Sequence, residues 1–204
     1  MKSKTDRLRE IRDEVLELEL SPLYEYRKAN NYFPVLGEGS HDSKIIFIGE
    51  APGKNEAETG KPFCGASGRI LDELLTSVDI ERSQVYVTNI VKDRPPNNRD
   101  PKPDEIALYS PFLIRQINVI QPKVIATLGR FSMVFIMEQF GLGDELKPIS
   151  KMHGMVFDAK TDSGNVKILP LYHPAVSVYN PNTKKDLLAD FQTLKKLLIP
   201  GMST

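Results

Sequence analysis

The stretch Ile45-Ile46-Phe47-Ile48-Gly49-Glu50-Ala51-Pro52-Gly53 decides the fold. An unbroken apolar run with no polar alternation, delivered straight into a Gly/Pro turn, is the pattern of a strand covered on both faces in a parallel sheet. Three more β-rich runs of this kind follow, at 85–90, 124–129 and 168–172, each ending in turn residues. Helical patterns lie between them. Residues 68–78 put Ile70, Leu71, Leu74 and Leu75 on one face, and Pro103–Ile120 opens on Pro-Asp-Glu and carries Ile106, Leu113, Ile117 and Ile120. Proline at the first turn followed by acidic residues is a helix start. Residues 129–140 and 184–198 complete the set. Strand–helix alternation with right-handed crossovers predicts an α/β fold, a three-layer α/β/α sandwich around a central four-stranded parallel sheet. Upstream, Leu8, Ile11, Val15 and Leu18 mark an amphipathic helix ending near Ser21-Pro22, and residues 147–167 read as a hairpin or loop before the last strand. The expected organisation is a single domain over 1–204, with an N-terminal helical segment at 1–30 and the α/β core at 45–198.

A chain of 204 residues, 40% of them hydrophobic, is long enough to bury a sizeable core. Basic and acidic residues number 27 each, which argues against nucleic-acid binding through bulk basicity. The charges are unevenly spread: 92–130 and 150–204 each carry seven basic and four acidic groups, whereas 31–91 carries five and nine. Ordinary fluctuation also produces differences of that size. A single cysteine excludes an internal disulfide framework and any multi-cysteine metal cluster. No apolar run approaches the ~20 residues that span a bilayer, and the charged first ten residues lack the apolar core of a signal peptide. A soluble, cytoplasmic protein without membrane contact is expected.

Ligands of such sheets bind beyond the carboxyl ends of the strands. Glu50, Asn89 and His173 stand at three of the four ends and should converge on one crevice. A carboxylate in the turn at Glu50 could orient or deprotonate water, or stabilise a developing cation; it could equally be a surface turn residue. Asn89 offers a donor and an acceptor to a base edge, or caps the strand. His173, before a proline, could donate to a developing oxyanion, or be a structural imidazole. His41 and His153 sit in loop-like contexts with less promise. Phe63, set between Pro62 and Cys64-Gly65, could stack on a planar base, although a lone phenylalanine is more often core. Cys64 reads as a buried small hydrophobe without a local base. The turn at 49–53 matches neither G-x-G-x-x-G nor the P-loop, so nucleotide-phosphate binding is poorly supported.

Taken together, Gly49-Glu50-Ala51-Pro52-Gly53 with Gly60-Lys61-Pro62-Phe63, Gly65 and Gly68 resembles the first motif of the family-4 uracil-DNA glycosylases. Thr88-Asn89-Ile90-Val91-Lys92 with Arg94-Pro95-Pro96 and Asn98-Arg99-Asp100-Pro101 is similar to the second block. Pro122-Lys123-Val124-Ile125, Leu128-Gly129 and Tyr172-His173-Pro174-Ala175 match the remaining blocks, and Ser21-Pro22-Leu23-Tyr24 to Arg27 with Gly37-Glu38-Gly39 fits the N-terminal stretch. The resemblance runs in order through roughly residues 18–198.

It implies hydrolysis of the N-glycosidic bond of a flipped-out uracil in DNA, leaving an abasic site. In that reading Phe63 stacks on uracil, Asn89 pairs with its polar edge, and the backbone at Gly49, Glu50 and Ala51 approaches the base. Glu50 handles the water and His173 bonds the uracil O2 as the base becomes anionic. Lys92, Arg94, Arg99, Lys184 and Lys185 are expected on phosphates, and Val176, Ser177 and Val178 at the vacated stack. The family holds a 4Fe–4S cluster on four cysteines, whose aligned positions here are Leu18, Ser21, Asp93 and Ser110. None can supply a thiolate, so the protein is expected to lack the cluster and any metal, apolar packing and hydrogen bonds taking its place. Uracil-containing DNA is the expected partner and a monomer the expected state. The alternative is a weakly active or inactive DNA-binding relative acting as a damage sensor. Covalent trapping of the sugar is disfavoured because 92–103 has no histidine, and other deaminated bases because glutamate and asparagine suit uracil.

Overall fold

The computed structural model describes residues 2–198, with the side chains of Val178, Tyr179 and Pro181 also outside the description. Two helices come first, α1 (Lys4–Leu16) and α2 (Tyr24–Ala29), then β1 (Glu38–Gly39) and β2 (Ile45–Gly49). They are followed by α3 (Lys54–Thr59), α4 (Ala66–Thr76), β3 (Tyr86–Asn89), α5 (Pro103–Ile120), β4 (Val124–Leu128) and α6 (Arg130–Gln139). The chain closes with α7 (Ile149–Met152), β5 (Phe157–Thr161), β6 (Gly164–Leu171), α8 (Val176–Tyr179) and α9 (Pro181–Leu198).

The sheet has six strands in the order β1-β3-β2-β4-β6-β5. The expected four-stranded parallel sheet is its centre, β3-β2-β4-β6, with Ile48 beside Thr88 and Thr127, and Ile125 beside Ile168. The expectation omitted two antiparallel edges, β1 on β3 and β5 on β6. The segment expected to form a hairpin or loop before the last strand instead supplies β5 and the start of β6: the last strand begins at Gly164 rather than 168, and β5 is its antiparallel partner.

β2, β3 and β4 are buried along their whole length and β6 along its second half, and their side chains divide by parity. Ile46, Ile48, Ile125 and Ile168 face α1, α5 and α6, while Ile45, Phe47, Val124, Ala126 and Leu169 face α4 and α9. This is the period-two pleat expressed as two cores. Phe47 lies nearly parallel to Phe191 of α9, ring centres 5.9 Å apart. α1 packs Leu8, Ile11 and Val15 against the α5 side of the sheet. In α5, Pro111 cannot donate to the Ala107 carbonyl, and the Ser110 hydroxyl supplies a bond to that oxygen at 3.2 Å.

Every parallel strand therefore ends at the same rim. β2 delivers Glu50, β3 Asn89, β4 Gly129 and β6 His173 to it. Among the described residues no helix is long and apolar enough to cross a membrane.

Candidate active site

A cavity of about 190 Å³ opens at this rim, lined by Ala51, Phe63, Asn89 and His173 together with Gly53, Glu56 and Ser67. It is smaller than the ~300–1,000 Å³ pockets that enclose drug-sized ligands, a size for one planar ring rather than a whole nucleotide.

Its walls are fixed by close approaches. A Cβ at Gly49 would lie 2.3 Å from Asn89 Oδ1 and 2.8 Å from Phe63 Cζ, so only glycine lets the amide and the ring meet over the strand end. Phe63 adopts a left-handed backbone, φ 49°, which carries a cost of about 1–3 kcal/mol unless its surroundings impose it. They do so here: a Cβ at Gly68 would sit 1.6 Å from the Phe63 carbonyl oxygen, and Arg82 donates to the Pro62 carbonyl at 2.9 Å. The Phe63 ring faces the His173 imidazole at 5.8 Å between centres.

His173 Nδ1 accepts from the Ala175 backbone N–H at 3.2 Å, which leaves the proton on Nε2. Burial pushes the imidazole below its ordinary value, with the Glu56 carboxylate opposing. The ring is thus a neutral donor. Glu56 itself accepts the Gly65 N–H at 3.1 Å and ties α3 to the start of α4 around the Phe63 turn.

Glu50 does not line the cavity. It lies half-buried at the neighbouring rim with Asp100 and Arg130, and its carboxyl is pushed up to about 7 by burial and then by the Asp100 charge, Arg130 opposing. Glu56, Ser67 and Arg130 were not anticipated. The signals for them were an acidic residue one turn into a helix beginning at Gly53, a hydroxyl beside the Phe63 turn, and an arginine directly after the β4 end.

The residues expected on phosphate divide. Lys92 is fully buried and donates to Thr88, Asn89 and Gln116, so it cannot meet a phosphate. Arg99 forms a fork on Glu105 at 2.5 and 2.8 Å, and that carboxylate also accepts the Lys102 N–H to cap α5; the guanidinium is engaged within the fold. Arg94 donates to Tyr32 at 3.0 Å and to Asn98 at 2.8 Å, fastening its loop to the segment after α2. Lys184 pairs with Glu73 at the surface and Lys185 is exposed. Val176 is exposed, but Ser177 is buried and its hydroxyl donates to the Pro174 carbonyl at 2.7 Å, which removes it from the expected wedge. The side chain of Val178 lies outside the described residues.

The aligned cluster positions are also only partly together. Ser21 Oγ and Tyr109 Oη are 2.7 Å apart, Tyr109 donates to Asp93 at 2.6 Å, and Arg27 donates to both Asp93 oxygens at 3.2 Å. Leu18 packs partly buried against the core beside this network. Ser110 is not part of it: one residue along the helix from Tyr109, its hydroxyl is turned back to Ala107. The fourth corner is Tyr109. Side chains that bond one another through a hydroxyl, a phenol, a carboxylate and a guanidinium do not fit an iron–sulfur cluster, which wants thiolates. Cys64 lies elsewhere and is exposed beside Phe63 rather than buried as expected, its thiol 3.3 Å from the Thr59 hydroxyl.

This architecture, a glycine-lined base-sized crevice at the carboxyl rim of a parallel sheet, coincides with a sequence match over residues 36–195 to the model of the uracil DNA glycosylase superfamily, and the chain belongs to that superfamily. It is 43% identical over 195 residues to a Type-4 uracil-DNA glycosylase of Sulfurisphaera tokodaii, covering 95% of this chain and 86% of that protein. Proteins of the same designation from Archaeoglobus fulgidus and Saccharolobus solfataricus are each 41% identical, over 84% of this chain and 84% of the former, and 95% and 87% for the latter.

Proposed function

We propose that this chain is a DNA-repair glycosylase that hydrolyses the N-glycosidic bond of uracil in DNA, without an iron–sulfur cluster. The observation that carries the reading is the meeting of a stacking ring (Phe63), an amide (Asn89) and a neutral imidazole donor (His173) around a cavity sized for one base.

The scissile bond is inaccessible inside a duplex, so the nucleotide turns out into the crevice. Phe63 stacks on the base, and the Asn89 amide pairs with the uracil N3–H and O4. The C1′–N1 bond breaks with its electron pair passing to the base, where His173 Nε2–H meets the negative charge at O2. Glu50 orients the water whose oxygen bonds to C1′ and takes up its proton. Arg94, Lys184, Lys185 and the exposed Val176 are the remaining candidates for DNA contact. Release of uracil from single-stranded and duplex oligonucleotides, read as alkali-labile abasic sites, tests the function; absence of release across a range of salt overturns it.

Glu50 must be ionised to accept a proton. Its value near 7 therefore predicts that kcat/KM rises with pH through about 7, with the rising limb lost in Glu50→Gln. A pH-independent rate between 5.5 and 8.5, on the order of that window around the shifted value, removes Glu50 from the water-handling role.

The network of Ser21, Tyr109, Asp93 and Arg27 supports the iron-free reading. Protein purified under anoxic conditions is expected to contain no stoichiometric iron and no absorbance band near ~400 nm, the region of thiolate-to-iron charge transfer in such clusters. Either signal refutes it.

A further inference from the structure

The fully buried Lys92 has no role in that chemistry as described. We propose that it is a positioning residue, a fixed ammonium that holds Asn89 in place and serves as counter-charge to the departing uracil anion. The proposal rests on the glycosylase reading above and adds to it a source for part of the leaving-group stabilisation.

Lys92 Nζ donates to the Asn89 backbone carbonyl at 2.7 Å, to Thr88 Oγ1 at 2.8 Å and to Gln116 Oε1 at 2.6 Å. Each partner can act only as an acceptor. The Thr88 hydroxyl gives its proton to the Leu36 carbonyl at 2.7 Å. Gln116 directs its amide nitrogen to the same carbonyl at 2.7 Å and toward Tyr86 Oη at 3.4 Å, leaving Oε1 for the lysine. Three acceptors require three N–H donors. An ammonium has three and a neutral amine two. Burial pushes Lys92 well below its ordinary value, and these three oxygens oppose that displacement.

No carboxylate accompanies this charge among the described residues. Asp93, the next residue, is held by Arg27 and Tyr109, and the groups facing Nζ from β3 and α5 are a hydroxyl, a carbonyl and an amide. An unpaired buried cation is costly. Bond cleavage supplies the missing anion: the electron pair of C1′–N1 passes into the uracil ring on the pocket side of Asn89. A fixed charge in a water-poor interior acts on a developing charge without having to reorient.

The test compares leaving groups. 5-Fluorouracil is a more acidic base than uracil and needs less help to leave. Under single-turnover conditions Lys92→Gln is expected to slow uracil release by about 10-fold to 100-fold, below the ~10²–10³ of a direct oxyanion donor, and to slow 5-fluorouracil release distinctly less. Lys92→Met, which keeps length without charge, should behave in the same way. Equal slowing of both bases means a purely structural role and overturns the proposal, as does an unchanged rate. Should both variants fail to fold, nuclear magnetic resonance of wild-type protein labelled at lysine Nζ decides: a protected nitrogen bearing three protons supports the proposal, and one bearing two refutes it. Absence of uracil release by the wild type is the separate failure, that of the glycosylase reading.

Discussion

His173→Ala is expected to lower the single-turnover rate of uracil release by about 10²–10³-fold, the usual effect of deleting one preorganised oxyanion donor. The size follows from how the imidazole is held. Its Nδ1 is occupied by the Ala175 N–H, burial keeps the ring neutral, and Nε2–H is the proton left to offer. Phe63 faces the ring across the cavity, 5.8 Å between centres. Asn89→Ala removes the base-edge partner and should cost a comparable factor, expressed partly in binding. Both variants should unfold at the wild-type temperature within a few degrees, since the one bond lost in the fold is the local one from the Ala175 N–H to His173 Nδ1. Wild-type rates in both would mean that uracil is recognised somewhere else.

The second large effect concerns stability. Asp93→Ala leaves the Arg27 guanidinium buried beside the Val15 and Leu16 carbonyls without its anion. Breaking one side of a buried pair costs about 3–5 kcal/mol, and for a domain of this length each kcal/mol moves Tm by roughly 2–4 °C. A fall on the order of 10 °C is expected by calorimetry. Tyr109→Phe removes a phenol bonded to both Ser21 and Asp93, leaving those two groups to find other partners, and should cost about 1–3 kcal/mol. An Asp93→Ala protein as stable as wild type would show that the tie between the N-terminal helices and the segment after β3 lies elsewhere.

The central sheet was legible because four short β-rich apolar runs each lead into turn residues, and the parity of Ile45 to Ile48 followed from the pleat. The edges were not: β1 is two residues long, and β5 alternates exposed and buried positions like many loops. In the site, Phe63, Asn89 and His173 came from their places at strand ends and from the family motifs. Lys92 was misplaced because nothing local distinguishes it from a surface lysine; its burial comes from Gln116, contributed by α5. Ser110 was one residue out of phase, and one residue on a helix turns a side chain by about 100°. Glu56 reaches the cavity only because α3 folds back around the Phe63 turn, a tertiary fact with no periodic signature.

The sheet order has a consequence for how the protein is made. Segments around residues 49, 63, 89 and 173 build one cavity, and the last arrives on β6, which pairs with β4. On the ribosome the N-terminal strands emerge long before their C-terminal neighbour. A nascent chain that stops short of His173 presents Phe63 and Asn89 without the imidazole that completes the enclosure. Full glycosylase activity therefore waits for β6 to bring His173 to the sheet, and a rise in uracil release during synthesis timestamps the moment that β6 docks.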